Sequence, residues 1–170
     1  MIELNVAFWI FVIINGIIGA MRGWAKELLV SFSVLVALFI INIFSSFGPV
    51  QNIFQAKGSS GFWVPASILI LMVIAGYQTP AVMTRFAGGK FTRDRFADAF
   101  LGFFIGLLNG YLIYGSLWYF MEQAGYPFSS ITAPDPTPFI VNYLPPSYLT
   151  GVPLYVAVGF SFLFVLLVFI

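Results

Sequence analysis

Five apolar runs, separated by stretches that contain most of the charged residues and prolines, limit what this chain can fold into. They cover about residues 5–21, 28–44, 63–83, 98–120 and 154–170. Each is close to the ~20 residues that an α-helix needs to cross the ~30 Å hydrocarbon core of a bilayer. Because lipid offers no hydrogen-bond partners, a crossing backbone must satisfy its own polar groups, and a helix does so. The sequence therefore predicts an all-α integral membrane protein, a bundle of five transmembrane helices in a single membrane domain over residues 1–170.

The composition agrees with this class and argues against several functions. Hydrophobic residues make up 61% of the chain and charged residues 8%, too few for a water-soluble surface. The chain has no Cys and no His, the residues behind most zinc, haem and thiol chemistry. No nucleophile elbow, phosphate-binding loop or basic stripe is present. We therefore expect no catalysis, no cofactor, no metal and no nucleic-acid partner, and expect membrane lipids and other membrane subunits as partners.

Glycines at a spacing of four residues mark two of the runs. Gly102, Gly106 and Gly110 follow one another in the fourth run, and Gly19 and Gly23 close the first. This spacing places glycines on one helix face, where a second backbone can approach closely. Glycine inside a helix costs roughly 0.5–1 kcal/mol relative to alanine, so three in register need a compensating contact. Membrane helices also carry more glycine in general, but the regular spacing favours a helix-packing stripe.

The stretches between the runs predict where the helices end. Residues 22–27 are expected to form a short charged turn, and residues 45–62 a loop. Gly76 and Pro80 are expected to kink or end the third helix near Gln78, because proline lacks a backbone N–H and clashes inside a helix.

The distribution of basic residues predicts the orientation in the membrane. Two Lys or Arg residues lie between runs 1 and 2, one between runs 2 and 3, four between runs 3 and 4, and none between runs 4 and 5. Since basic loops stay in the cytoplasm, the first and third loops are predicted to be cytoplasmic. The N-terminus and the Pro-rich stretch then lie outside, and the C-terminus lies inside.

Four charged residues fall at the predicted cytoplasmic level of the bundle: Arg22, Glu27, Arg95 and Asp98. They could pair between helices, for example Arg22 with Asp98. Alternatively they are surface charges in interfacial water, where a pair contributes only ~0–1 kcal/mol. Both readings stay open at this point.

A second group of polar residues lies deeper in the predicted helices: Asn15, Asn42, Gln78 and Asn109. Polar side chains at this depth either hydrogen-bond between helices or line a pathway, and we favour the first role. The sequence places no acid or base near the middle of the membrane, which argues against proton-coupled transport.

Two motifs at the same predicted level carry a family resemblance. They are Arg22-Gly23-Trp24-x-x-Glu27 after the first run, and Asp98-x-x-Leu101-Gly102-x-x-x-Gly106-x-x-x-Gly110 at the start of the fourth. With the four-span layout over about residues 5–125, the chain resembles the CvpA-like (colicin V production protein) family of bacterial inner-membrane proteins. The resemblance implies a non-enzymatic multi-pass protein linked to colicin export and envelope physiology. The Pro-rich stretch and the fifth run depart from the four-span pattern.

The Pro-rich stretch, residues 126–153, contains seven of the ten prolines and is expected to be extended and rich in turns. It also carries apolar side chains that need cover: Phe128, Phe139, Ile140, Val141, Tyr143 and Leu144. The cover could be the headgroup layer, the ends of the protein's own helices, or another subunit. We favour a partner-docking surface, because prolines reduce the entropy lost when such a segment orders on a partner.

Two functional hypotheses follow. The first is a structural or accessory subunit of a larger bacterial membrane assembly, such as a respiratory or photosynthetic one. The alternative is a small homo-oligomeric pore or export helper, with Asn15, Gln78 and Asn109 lining the path.

The predicted orientation can be tested with single cysteines introduced into this cysteine-free chain. A Cys replacing Gly88 should react with a membrane-impermeant thiol reagent only from the cytoplasmic side, and one replacing Ser130 only from outside. Labelling of both positions from the same side would contradict the five-span topology.

Overall fold

The computed structural model describes residues 4–46, 48–86, 95–128, 131 and 139–169. Its helices are α1 (Leu4–Arg22), α2 (Trp24–Ser46), α3 (Gly48–Phe54), α4 (Ser59–Phe86), α5 (Arg95–Gln123), α6 (Pro145–Tyr148) and α7 (Gly151–Phe169). A 3₁₀ helix, Phe139–Tyr143, precedes α6.

Four of the described helices are long and apolar enough to cross a membrane: α1, α2, the Ser59–Gln78 part of α4, and α5. Their mean hydropathies lie between 1.6 and 2.5. Helix α7 is a shorter apolar helix, 19 residues in all. The predicted fold class, an all-α membrane bundle, is confirmed.

The turn between α1 and α2 is tighter than the sequence predicted. Instead of a charged turn over residues 22–27, a single residue, Gly23, separates the two helices, with a φ of +86°. Glycine adopts this left-handed conformation without the steric penalty of a Cβ, so the chain reverses at one residue. Helix α2 therefore begins at Trp24, and Glu27 lies in its first turn instead of in a loop.

Two further boundaries differ from the prediction. The expected loop over residues 45–62 contains α3 and the first turn of α4. Helix α4 also continues to Phe86, past Pro80, whereas we expected a kink or a stop near Gln78. Membrane helices tolerate proline better than soluble ones, because neighbouring groups satisfy the carbonyl that it leaves free.

The described part of the Pro-rich stretch is also more regular than expected, since it contains the 3₁₀ helix and α6. Helix α6 begins with Pro145 and Pro146. Proline suits the first turn of a helix, where its missing N–H has no intrahelical acceptor and its fixed φ is already helical.

Helix α2 lies at the centre of the bundle and packs against α4, α5 and α7, whereas α1 packs mainly on α5. Apolar side chains of α2, α4, α5 and α7 form the main core, among them Val30, Val34, Leu38, Leu69, Leu112 and Leu154. In a bilayer such packing gains little from the hydrophobic effect, because lipid tails are as apolar as leucine. Close van der Waals contact must hold the helices together.

The closest such contact joins α1 to α5 through their glycines. A Cβ added to Gly19 would lie 2.8 Å from the Cα of Gly106, and one added to Gly106 would lie 3.0 Å from the Cα of Gly19. The same would hold for Gly110, where a Cβ would meet the Cα of Val12 at 2.9 Å, and for Gly102, where it would meet the backbone of Gly19. The two backbones touch, and there is no room for a side chain between them.

This contact makes Gly19→Ala a sharp test of the α1–α5 packing. Because the new methyl group meets backbone that cannot rotate away, we expect the free energy of unfolding to fall by about 1–3 kcal/mol. The matched control is Gly159→Ala in α7, where nothing lies within 4 Å of an added Cβ. Reversible unfolding in mixed detergent micelles measures both. Equal stabilities of the two variants would mean that α1 and α5 do not meet at their glycines.

Candidate functional site

A cluster of polar side chains lies between α1, α2, α4 and α5, and its centre is Glu27. This side chain is completely buried. Its Oε1 accepts a hydrogen bond from Arg22 Nη1 at 2.6 Å, and its Oε2 accepts one from Asn109 Nδ2 at 2.9 Å. An unpaired buried carboxylate costs several kcal/mol, and pairing with hydrogen bonds to both oxygens offsets that cost.

Asn109 ties α5 to the start of α2. It is fully buried, in the middle of the 29-residue helix α5. Besides the Glu27 carboxylate, its Nδ2 contacts the Glu27 backbone oxygen at 2.9 Å, and its Oδ1 accepts a hydrogen bond from Ser31 Oγ at 2.6 Å. Asn109 thus hydrogen-bonds between helices, which is the role that we favoured over pathway lining.

Arg22 extends the cluster from α1 to α4. Its Nη2 donates to the carbonyl oxygen of Tyr77 at 3.3 Å, and its guanidinium lies 4.2 Å from the centre of the Tyr77 ring, a cation–π geometry. The Tyr77 hydroxyl in turn donates to Asn15 Oδ1 on α1 at 3.1 Å. The Arg22 side chain is 22% exposed, so it is the part of the ion pair that reaches the surface.

Asp98 caps the start of α2 from α5. Its Oδ1 accepts a hydrogen bond from the backbone N–H of Trp24, the first residue of α2, at 3.2 Å. A negative charge is favourable at a helix N-terminus, where backbone N–H groups lack intrahelical partners. A Cβ on Gly23 would lie 2.8 Å from this same Oδ1, so the glycine also makes room for the cap.

The four charged residues that the sequence placed at one level thus make different contacts. Arg22 forms an ion pair with Glu27, whereas the pairing named as an example was Arg22 with Asp98. Asp98 binds backbone at the start of α2, and Arg95 is exposed at the start of α5.

Glu27 lies buried inside the bundle, whereas the sequence placed it in a charged turn. Glu27 hydrogen-bonds to the middle of α5, because the single-residue turn at Gly23 carries it into the bundle. That no acid or base lies near the middle of the membrane stays a prediction, and so does the argument against proton-coupled transport that rests on it. The sequence contained one signal for this burial, a glycine two residues after the end of the first apolar run, whereas nothing local marked Tyr77 or Ser31 as members of the cluster.

The proposed docking residues are largely covered by the protein's own helices. Leu144 is completely buried and Val141 is 6% exposed. Both pack in a second core cluster with Phe8 of α1 and Trp118 of α5, and Ile140 packs against the same cluster. For these residues, the cover observed is the second of the three that we considered, the ends of this protein's own helices.

The remaining docking residues differ in how far the protein covers them. The Phe128 ring packs edge-on against Phe62, with ring centres 5.1 Å apart, and so is covered by α4. Tyr143 is 54% exposed, although its carbonyl oxygen accepts a hydrogen bond from the Tyr111 hydroxyl. The side chain of Phe139 lies outside the described part of the structure.

The polar cluster brings together the two sequence motifs, one from the α1–α2 turn and one from α5. A family model described as "Colicin V production protein" matches residues 4–135 of the chain. The chain belongs to the colicin V production protein family. In this colicin V production family member, the matched region contains α1 to α5 and every residue of the polar cluster, while α6 and α7 follow it. Comparisons with curated proteins and with solved structures gave no match.

The chemistry available to the cluster is that of an ion pair and neutral hydrogen-bonding groups. In the described ranges, no group of three or more His, Cys, Asp or Glu side chains is placed to hold a metal ion. What the arrangement does in this structure is join four helices through directional bonds.

A double-mutant cycle tests the energetic role of the ion pair. Arg22→Leu leaves Glu27 buried without its counter-charge and should lower the free energy of unfolding by about 3–5 kcal/mol. Adding Glu27→Leu removes the stranded carboxylate, so the double variant should recover much of that loss.

Lys26→Leu is the control for this cycle, because Lys26 is an exposed basic residue next to the pair. It should change the stability in micelles little. If the Arg22 and Glu27 substitutions are simply additive, the pair does not stabilise the bundle as a unit.

Proposed function

We propose that this protein is a non-catalytic structural or accessory subunit of a larger bacterial membrane assembly, of which a respiratory or photosynthetic complex is an example. The observation that carries the proposal is that the buried polar groups are hydrogen-bonded within the bundle. In the described part of the chain, every buried side-chain nitrogen or oxygen has a hydrogen-bond partner within the protein. The polar cluster and the glycine contacts thus serve the bundle's own packing, which leaves its outer surface as the part available for partners.

Apolar outer faces support this proposal. Helix α7 packs against α2, and its outward side chains are well exposed, with Phe160 at 71% and Leu167 at 82%. On α5, the exposed rings of Phe96, Phe100 and Phe104 follow one another in contact along one face. Such faces suit either lipid or the helices of a neighbouring subunit.

The second proposal is a small homo-oligomeric pore or export helper, and the family description as a colicin V production protein favours it. The residues first suggested to line its path do not meet inside one bundle. Asn15 and Asn109 are buried and hydrogen-bonded, whereas Gln78 is exposed on α4. A path would therefore have to lie between copies of the chain.

For both proposals we place the protein in the bacterial inner membrane, with the N-terminus outside and, if α7 crosses, the C-terminus in the cytoplasm. The six basic residues of the first and third loops, against one in the second, support this orientation. In that frame the polar cluster lies toward the cytoplasm.

Native mass spectrometry of the tagged protein, crosslinked in its own membrane and then gently solubilised, separates the two proposals. A subunit should be recovered with distinct heavier partners in fixed ratio. A pore should give only whole multiples of 18.8 kDa. Recovery of the crosslinked protein solely as an 18.8 kDa monomer would contradict both.

A further inference from the structure

A cavity of about 140 Å³ opens at the end of the bundle opposite the α1–α2 turn. It lies between the last turns of α2 and α5, the beginning of α4, and the segment around α6. Six polar side chains line it: Asn42, Ser45, Gln55, Tyr119, Gln123 and Thr150. Its remaining walls are apolar and include Leu38, Phe120 and Pro146.

Two amides of this cavity, Asn42 and Gln55, differ in their hydrogen bonding from the amides of the polar cluster. Asn15 and Asn109 in the cluster use both their amide nitrogen and their amide oxygen in hydrogen bonds. At the cavity, the side chains of Asn42 and Gln55 make no hydrogen bond to the described part of the chain. An amide at the edge of a membrane that lacks a protein partner needs a polar molecule beside it.

The charge of the lining limits what that molecule can be. None of the described residues that line the cavity is charged. The nearby ammonium group of Lys57 is engaged with the carbonyl oxygen of Gln123 at the end of α5, at 2.7 Å. An ionic ligand would therefore lose hydration without gaining a counter-charge from the lining, whereas a neutral ligand has no charge to desolvate.

We propose that this cavity binds a neutral, hydroxyl-rich group, a polyol or a sugar, either free or as the headgroup of a lipid. Each hydroxyl both donates and accepts, and so matches the amide NH₂ and C=O groups of Asn42 and Gln55. The Tyr119 ring and the apolar walls suit the C–H faces of such a group. The position at the helix ends is the level of lipid headgroups.

The test is native mass spectrometry and calorimetric titration of the full-length protein in micelles, with three probes. They are glucosyl dioctanoylglycerol, free glucose, and dioctanoylphosphatidylglycerol as an anionic lipid of equal chain length. Binding of the glucosyl lipid alone supports the proposal with a lipid source, and binding of glucose as well supports it with a free solute. No binding of either neutral probe, or tighter binding of the anionic lipid, overturns it.

Substitutions of the lining residues test whether the ligand binds in this cavity. Asn42→Leu and Gln55→Leu should each weaken binding of the neutral probe about tenfold, the loss expected for one or two hydrogen bonds. The matched control, Gln78→Leu, removes an exposed amide from α4 at the other end of the bundle and should bind normally. Unchanged binding by both cavity variants overturns the proposal.

The folding of these variants is checked separately. Because Asn42→Leu replaces an amide that has no partner in the protein, its unfolding temperature without ligand should equal or exceed that of the wild type. Gln55 is exposed, so Gln55→Leu keeps the test decisive even if the α2 variant fails to fold.

Discussion

The backbone contact between α1 and α5 at Gly19 and Gly106 is the interaction on which the rest of this structure depends. A bilayer supplies little hydrophobic force between helices, so stability has to come from close approach. This approach brings the end of α1 beside the start of α5, and thereby places Gly23 against Asp98. With that end fixed, α2 starts where its first turn faces Asn109.

The ion pair at Glu27 complements the glycine contact in a different way. Van der Waals packing between apolar helices is weakly directional, and many registers pack almost equally well. Hydrogen bonds from Arg22 and Asn109 to one buried carboxylate are satisfied in only one relative position of α1, α2 and α5. Since a mispaired register would strand a buried charge, we interpret the cluster as a device that selects the register of the bundle.

The two ends of the bundle therefore differ in kind. At the α1–α2 turn, the amides of Asn15 and Asn109 are hydrogen-bonded within the protein, and Arg22 is the member of the ion pair that reaches the surface. At the opposite end, Asn42 and Gln55 line an open cavity. The hydrogen bonds at the first end hold the helices together. The second end is the one for which we propose ligand binding.

The sequence alone determined the membrane class, the approximate positions of the long apolar helices, the glycine stripe and the family motifs. Hydropathy and residue spacing along the chain indicate which segments are apolar helices and which helix faces lack side chains. The sequence could not determine the burial of Glu27, which depends on how tightly Gly23 turns, or its link to Tyr77, a residue distant in the chain. Nor did it show that Leu144 would be covered by α1 and α5. These features were decided by tertiary structure, since each requires knowing which helices become neighbours.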